Sequence, residues 1–347
     1  MKRFKSWFFI IFLVSNSIQS QKKDRYSIFT IAFYNVENLF DTVNDSLHFD
    51  DEMTPDGNYH WTLERYNLKI AHIAGVISKI GQSMTKTCPD IVGICEVENL
   101  KVIKDLVDHP FLRPYGLNII HFDSPDERGI DVALLYKRDR FIPMSFKSHR
   151  LLIFNASDKR DYTRDQLVVG GLLEGEEFYF IVNHWPSRSG GVARSQPYRQ
   201  AAARLNRRII DSVLRLNLEA KIISMGDLND NPTDRSLKNS LTLSDTKNLQ
   251  SPAFFNPMES IYKKGEGSLA YRDQWNLFDQ ILLSKNLINK DRKLYTFWKA
   301  GIYHPRFLQT ETGNYKGYPF RTYVSGRYTG GYSDHFPVYA FLIKQAN

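Results

Sequence analysis

A strand that is apolar almost without interruption must be covered on both faces, because a half-exposed strand alternates apolar with polar residues. Pro89-Asp90-Ile91-Val92-Gly93-Ile94-Cys95 is such a run, and it stops abruptly at Glu96-Val97-Glu98-Asn99. The same pattern recurs along the chain. Ser27 to Asn35, Phe178 to Asn183 and Ile222 to Met225 are apolar runs that exit into Asn35, His184 and Asp227 with Asn229. Trp275 to Ser284 carries one acid, Asp279, in its middle, and Asp334-His335 opens the closing run Phe336 to Phe341. A carboxylate at a partly buried strand end is costly when unpaired. Glu96 therefore asks for a cation, and Asp279 for a donor such as histidine.

Helical periodicity separates several of these runs. Trp61 to Ile80 repeats apolar residues at Leu63, Tyr66, Ile70, Ile73, Ile77 and Ile80, and Tyr198 to Leu216 reads as a longer helix with Ala201 to Ala203 and Leu205 inward. Leu100 to Val107 reads as a short helix. Ile130 to Tyr136, Phe141 to Phe154 and Gln166 to Leu173 read as further strands. Asp131 either pairs with a histidine or accepts loop amides, with the second preferred. Asp41 to Tyr59 is an acidic, turn-rich loop, Thr242 to Gly267 is irregular, and Thr310 to Tyr332, rich in Tyr, Gly and Arg, is a long surface loop.

Ile222 to Pro232 (IISMGDLNDNP) concentrates the pattern. Residues two apart in extended chain point the same way, so Asp227 and Asn229 can face one site. Gly, Asp, Asn and Pro are also ordinary turn formers, so this segment alone leaves both a turn and a catalytic exit open. Asn183-His184-Trp185-Pro186-Ser187-Arg188-Ser189-Gly190-Gly191 adds a titratable donor, a fixed cation and backbone that can approach an anion, although His184 could equally be structural.

The N-terminus has the cationic start, apolar run (Trp7 to Val14) and polar end of a secretory signal peptide, expected over residues 1–20, and the mature chain at 21–347 is long enough for one large domain or two average ones. The formal charge of +8 falls to +5 once the cations of Lys2, Arg3 and Lys5 are removed. Mild basicity suits a polyanionic partner without establishing one. Cys88 and Cys95, the only two cysteines, flank a strand and so stand about 20 Å or more apart. A disulfide needs Cα atoms within about 7 Å, so both are expected to be unpaired and buried.

Carboxylates, amides and imidazoles at strand exits suit transfer of a phosphoryl group to water, which needs a hard cation, a positioned water and donors around the developing charge. No zinc-type cluster and no Walker glycine loop is present in the sequence. Taken in order, Ala32-Phe33-Tyr34-Asn35, Ile94-Cys95-Glu96-Val97, Val182-Asn183-His184, Met225-Gly226-Asp227-Leu228-Asn229, Asp279-Gln280-Ile281-Leu282 and Ser333-Asp334-His335-Phe336-Pro337-Val338 resemble the motifs of the endonuclease/exonuclease/phosphatase family. The resemblance is closest in style to exported bacterial nuclease-like members. It implies a four-layer α/β sandwich, two packed mixed β-sheets flanked by helices, and with it a single domain over residues 21–347.

The resemblance further implies roles. Glu96 is the principal metal ligand, with Asn35 and Asp334 near or on the same cation. Asp227 orients or deprotonates the attacking water, and Asn229 holds the phosphate. His335 contacts the scissile phosphate, oriented by Asp279, and His184 stabilises the phosphate or assists the leaving oxygen. Arg164, Arg188 and Asn183 are expected to bind substrate. Mg2+ or Mn2+ is the expected cofactor, with Ca2+ as a further option.

The expectation is an exported metal-dependent phosphodiesterase, foremost an endonuclease on DNA or RNA, with no stable membrane association after signal cleavage. Arg188, Tyr318, Arg321, Tyr323, Arg327 and Tyr328 are its candidate backbone-gripping and base-stacking residues. The alternatives are a phosphatase or phospholipase C-type hydrolase of a small or lipid phosphoester, and a non-catalytic binding protein of the same fold.

Overall fold

The computed structural model describes residues 25–241, 243–244, 254–289 and 291–346. The expected signal peptide, residues 1–20, and part of the irregular stretch 242–267 lie outside these residues. Two mixed sheets stack face to face, one of six strands and one of seven. Across the first, the strands run Thr296–Ile302, Val338–Gln345, Tyr26–Leu39, Ile91–Val97, Asp131–Lys137 and Leu117–His121. The second runs Leu243–Ser244, Phe254–Phe255, Asp279–Ser284, Lys221–Asp227, Glu176–His184, Gln166–Leu173 and Phe141–His149. Helices Leu63–Lys79 and Leu100–Asp108 pack beside the first sheet, and Val192–Leu216 beside the second, which gives the expected four layers.

Side-chain alternation divides the second sheet cleanly. Ile181, Ile222 and Leu282 join Ala202, Ile209 and Val213 of the long helix in one apolar cluster. Their neighbours Val182, Ile223, Met225 and Ile281 belong to the larger core between the sheets. That seam is tight: a Cβ on Gly93 would stand 3.0 Å from the Met225 methyl and 3.1 Å from the Phe33 ring. Cys88 and Cys95 are free and buried, as the strand between them requires.

Two element boundaries differ from expectation. The long helix starts at Val192, not at Tyr198, so Pro197 lies inside it. Proline is ordinarily confined to a helix's first turn, which is why the sequence pattern suggested a later start. The expected strand Trp275 to Ser284 divides at Leu277-Phe278 into a short hairpin arm, Gln274–Asn276, and the sheet strand Asp279–Ser284. Asp279 is thus the first residue of a strand, not its middle. Helix Leu63–Lys79 begins where expected, the Thr62 hydroxyl accepting a bond from the Arg65 N–H.

Candidate active site

Strand direction alone brings the polar exits to one edge. Tyr26–Leu39 and Ile91–Val97 are parallel, with Asn35 opposite Cys95. Glu176–His184 and Lys221–Asp227 are also parallel, pairing His184 with Asp227, while the antiparallel Asp279–Ser284 pairs Asp279 with Asp227. Asp227 and His184 share the parity of Met225 and Val182, so both point into the seam between the sheets. Gly226 permits this: a Cβ there would lie 2.3 Å from the Asn183 carbonyl oxygen.

Glu96 reaches the same seam by a distortion. The register of its strand shifts between Cys95 and Val97, and Glu96 has φ 62°. Glu37, Asn38 and Asn229 also have positive φ, at 52°, 50° and 49°. Such backbone costs about 1–3 kcal/mol per residue and is tolerated where surroundings over-determine it. Here they do. The Asn38 N–H donates to Glu96 Oε2 at 3.0 Å, and the Asn229 N–H to Asp227 Oδ1 at 3.0 Å.

Asn35 links the two carboxylates, its Nδ2 donating to Glu96 Oε1 at 3.2 Å and to Asp227 Oδ2 at 3.0 Å. Burial pushes the Asp227 carboxyl up to about 7; Asp279 adds to this, while His335, the Asn229 N–H and Asn35 oppose it. Burial works in the same direction on Glu96, but Arg128, His335, Asn35 and the Asn38 N–H outweigh it and hold its carboxyl below the ordinary range.

Two imidazoles face Asp227. His335 Nε2 stands 3.9 Å from Asp227 Oδ2, and its Nδ1 lies 2.6 Å from Asp279 Oδ2. Burial disfavours its charged form, but the carboxylates of Asp279, Asp334 and Asp227 prevail and raise its pKa well above the ordinary value. Ser268 donates to the same Asp279 oxygen at 2.5 Å. His184 Nε2 stands 3.7 Å from Glu96 Oε1 and 3.8 Å from Asp227 Oδ2. Burial, and then Arg164, Arg128 and His335, push its pKa well below the ordinary value, so it is neutral.

Asp334 completes the group, half-open to solvent and bound at 2.7 Å by Arg321 Nη2. Glu96, Asp227 and Asp334 offer oxygen donors of the kind that hard divalent cations take, whereas Asn35, expected as a ligand, turns its Nδ2 to the carboxylates and its Oδ1 to the Glu37 N–H at 2.9 Å. The donor set therefore fits the expected Mg2+ or Mn2+ better than a soft metal.

A match to the endonuclease/exonuclease/phosphatase family spans residues 30–344 of the chain. The chain belongs to this family. Comparison with curated protein sequences finds no match. Among solved structures, a Bacteroides thetaiotaomicron protein of the family superimposes with a TM-score of 0.54 at 19% identity, covering 93% of this chain and 97% of that one. D. rerio TDP2, complexed with single-strand DNA product, gives 0.54 at 15% identity, with 91% and 99% covered. A B. thetaiotaomicron mannosyl-6-phosphatase gives 0.52 at 19% identity, with 90% and 99% covered. These likenesses establish the shared fold. As a family member, the chain is a phosphoester hydrolase of a metal-dependent class.

Three residues expected to bind substrate are placed otherwise. Asn183 has the helix-side parity, and its Nδ2 donates to Ser224 Oγ and the Met225 carbonyl, both at 3.0 Å, far from solvent. Arg164 is buried, its Nη1 on Asp126 Oδ2 at 2.9 Å and its Nη2 on the Trp185 carbonyl at 2.8 Å. Its charge is already paired, and it acts on the site by depressing the His184 pKa. Arg188 ties down the exit loop through the Asn229 carbonyl and Asp234, at 2.8 and 2.7 Å. Tyr323 and Tyr328 pack on each other, and Arg65 lies 4.3 Å from the Tyr328 ring, so that hairpin braces the loop.

Asp131 does both things the sequence left open, accepting the Ser124 N–H at 2.8 Å and pairing with His121 Nε2 at 2.9 Å. Two contributors were not anticipated. Buried Lys69 donates to the Tyr332 carbonyl and Thr322 Oγ1, both at 2.6 Å, and lies 3.5 Å from Glu37, which accepts the Thr322 N–H at 2.7 Å. A lysine among the inward apolar residues of its helix was the available signal. Ser268 carries no comparable signal.

Proposed function

We propose that this protein is an exported phosphodiesterase that hydrolyses nucleic-acid strands. The observation that carries the nucleic-acid reading is a cleft of about 550 Å³, lined by Tyr271, Tyr315, Tyr318 and Arg321, that opens onto Asp334. Aromatic faces beside an arginine are what a base and its phosphate need. The basic charge and the TDP2 complex with single-strand DNA product support the same reading. The N-terminal sequence of residues 1–20 supports export.

Glu96 and Asp334 would hold Mg2+ or Mn2+, with Asn35 orienting Glu96 beside it, and the cation when bound supplies positive charge against the phosphate oxygens. Asp227, whose carboxyl burial pushes up to about 7, takes a proton from water as its oxygen adds to phosphorus. His335, kept protonated by Asp279, donates to a phosphate oxygen. Neutral His184 offers its Nε2–H from the other side, near the leaving oxygen. Asn229 uses one amide hydrogen on the Trp185 carbonyl at 3.0 Å and retains the second for phosphate. The P–O ester bond breaks, and the departing oxygen takes up a proton.

Purified mature protein, incubated with single- and double-stranded oligonucleotides and Mg2+ or Mn2+, should cleave at least one of them, and EDTA should stop it. Absence of metal-dependent cleavage on every nucleic acid would sink this reading. The cleft is also of a size for a sugar phosphate, so phosphate release from hexose phosphates belongs in the same panel.

A further inference from the structure

We infer that cleavage takes place next to a chain end: one nucleoside unit fills the cleft beside Asp334, and the opposite flank admits no continuing strand. This rests on the nucleic-acid reading above. The first observation is the strand order. Val338–Gln345, Tyr26–Leu39, Ile91–Val97 and Asp131–Lys137 are successive neighbours. The site edge therefore runs from Asp334 through Asn35 and Glu96 to Asp131. Anything lying along it meets the cleft at one end and the surroundings of Glu98 and Asp131 at the other.

The cleft end is built to receive a ring. Tyr271 and Tyr315 are 62% and 50% exposed, Tyr271 with Arg272 5.2 Å from its ring and Tyr315 with Tyr318 beside it. Tyr318 is fixed, its hydroxyl donating to Asp273 Oδ1 at 2.6 Å, with Tyr315 and Trp275 5.8 and 5.7 Å from its ring. Arg321 stands between this wall and the site, held by Asp334 at 2.7 Å and Glu37 at 3.4 Å. A volume of about 550 Å³ accommodates a nucleoside with its phosphate.

The other end is hostile to a polyanion. Its surface depression is lined by Asp41, Asp45, Asp50, Glu98, Asp123 and Asp131, against the cations Arg128 and, when protonated, His48. A strand continuing past Glu96 would pass its phosphates over these carboxylates, and like charges repel there wherever they approach closer than the screening length of about 8–10 Å. The two ends thus select a substrate that extends on one side of the scissile phosphate only. Water adds to phosphorus, the P–O bond breaks, the leaving oxygen is protonated, and the products are a short end fragment and the shortened chain.

The test compares a linear single-stranded oligonucleotide with its covalently closed circle, under Mg2+. The linear form should be shortened stepwise from one end, with the circle slower by about 100-fold, as several kcal/mol of like-charge repulsion would require. Equal rates on the two would overturn end selection while leaving the nucleic-acid reading intact. Failure to cut either, with hydrolysis of methyl p-nitrophenyl phosphate retained, would overturn both.

The double variant Tyr271→Ala/Tyr315→Ala tests the cleft separately. Stacking of this kind predicts that KM for thymidine 5′-(p-nitrophenyl phosphate) rises about tenfold. KM for methyl p-nitrophenyl phosphate, which carries no nucleoside, should stay unchanged and so report an intact fold. Unchanged KM for both esters would exclude the cleft as the nucleoside subsite and overturn the proposal.

Discussion

His335 and His184 face the same carboxylate at nearly the same distance, 3.9 and 3.8 Å from Asp227 Oδ2, and both are buried. Their charge states are opposite. His335 is backed by Asp279 and held protonated against the cost of burial, whereas His184 has no carboxylate behind it and is held neutral by burial first and then by the cations Arg164 and Arg128. Residue type and burial are therefore not what assigns their work. The partner behind each ring is, as it is wherever like groups are pushed apart in pKa to serve as acid and base.

The comparison breaks most completely if the group both rings face is removed. Asp227→Asn should lower kcat by about 10³- to 10⁴-fold at unchanged circular dichroism, and EDTA should have a comparable effect, reversed by Mg2+. In the metal-free protein a carbon-13 NMR titration should find the Asp227 carboxyl losing its proton near 7, and an added cation should move that step to lower pH. A step near the ordinary carboxylate value without metal would contradict the burial argument.

Next in size is the partner of the charged ring. Asp279→Asn removes the main group that raises the His335 pKa, so the imidazolium should be lost at lower pH. The alkaline limb of the kcat profile should move down accordingly, with kcat falling about 100-fold at neutral pH. An unmoved limb would show that another group protonates His335 functionally.

The neutral ring offers a smaller and opposite effect. Arg164→Gln takes away a repelling cation, so the His184 pKa should rise, read by nitrogen-15 NMR. Because burial is the larger cause, it should stay below the ordinary histidine value. The same change takes from buried Asp126 its 2.9 Å partner and leaves only Arg128 at 4.0 Å, at a cost of about 3 kcal/mol in urea unfolding. The smallest effect on catalysis is expected from Arg188→Ala, which loosens the loop after Asp227 and should cost about 1–2 kcal/mol of stability with little change in KM. A large rise in KM would restore Arg188 to substrate binding.

Much of the site was legible because the signal is local. An apolar strand that stops at a carboxylate, amide or imidazole announces its exit, and Asn35, Glu96, His184 and Asp227 were read in that way, Asp279 from inside an apolar run and Asp334 with His335 from the start of one. Even the demand of Asp279 for a donor could be read from its place among apolar residues, and His335 meets it at 2.6 Å. Asn183 and His184 show where such reading stops. They are adjacent and equally polar, yet alternation sends one to the helix layer and the other into the seam. Which face is the seam depends on the sheet that stacks there.

The sequence by itself determined the strand-and-helix layout, the order of polar exits and the family they mark, because these follow from periodicity and from the cost of burying unpaired polar groups. Only the tertiary structure decided which cations are free. Arg164 and Arg188 read as anion-binding in isolation, but acids distant in the chain, Asp126 and Asp230 with Asp234, already pair with them. Lys69, which the sequence pattern left unassigned, is paired in the same way by Glu37. Charge pairing acts through space over a few ångströms, and the separations along the chain that it bridges leave no periodic trace in the sequence.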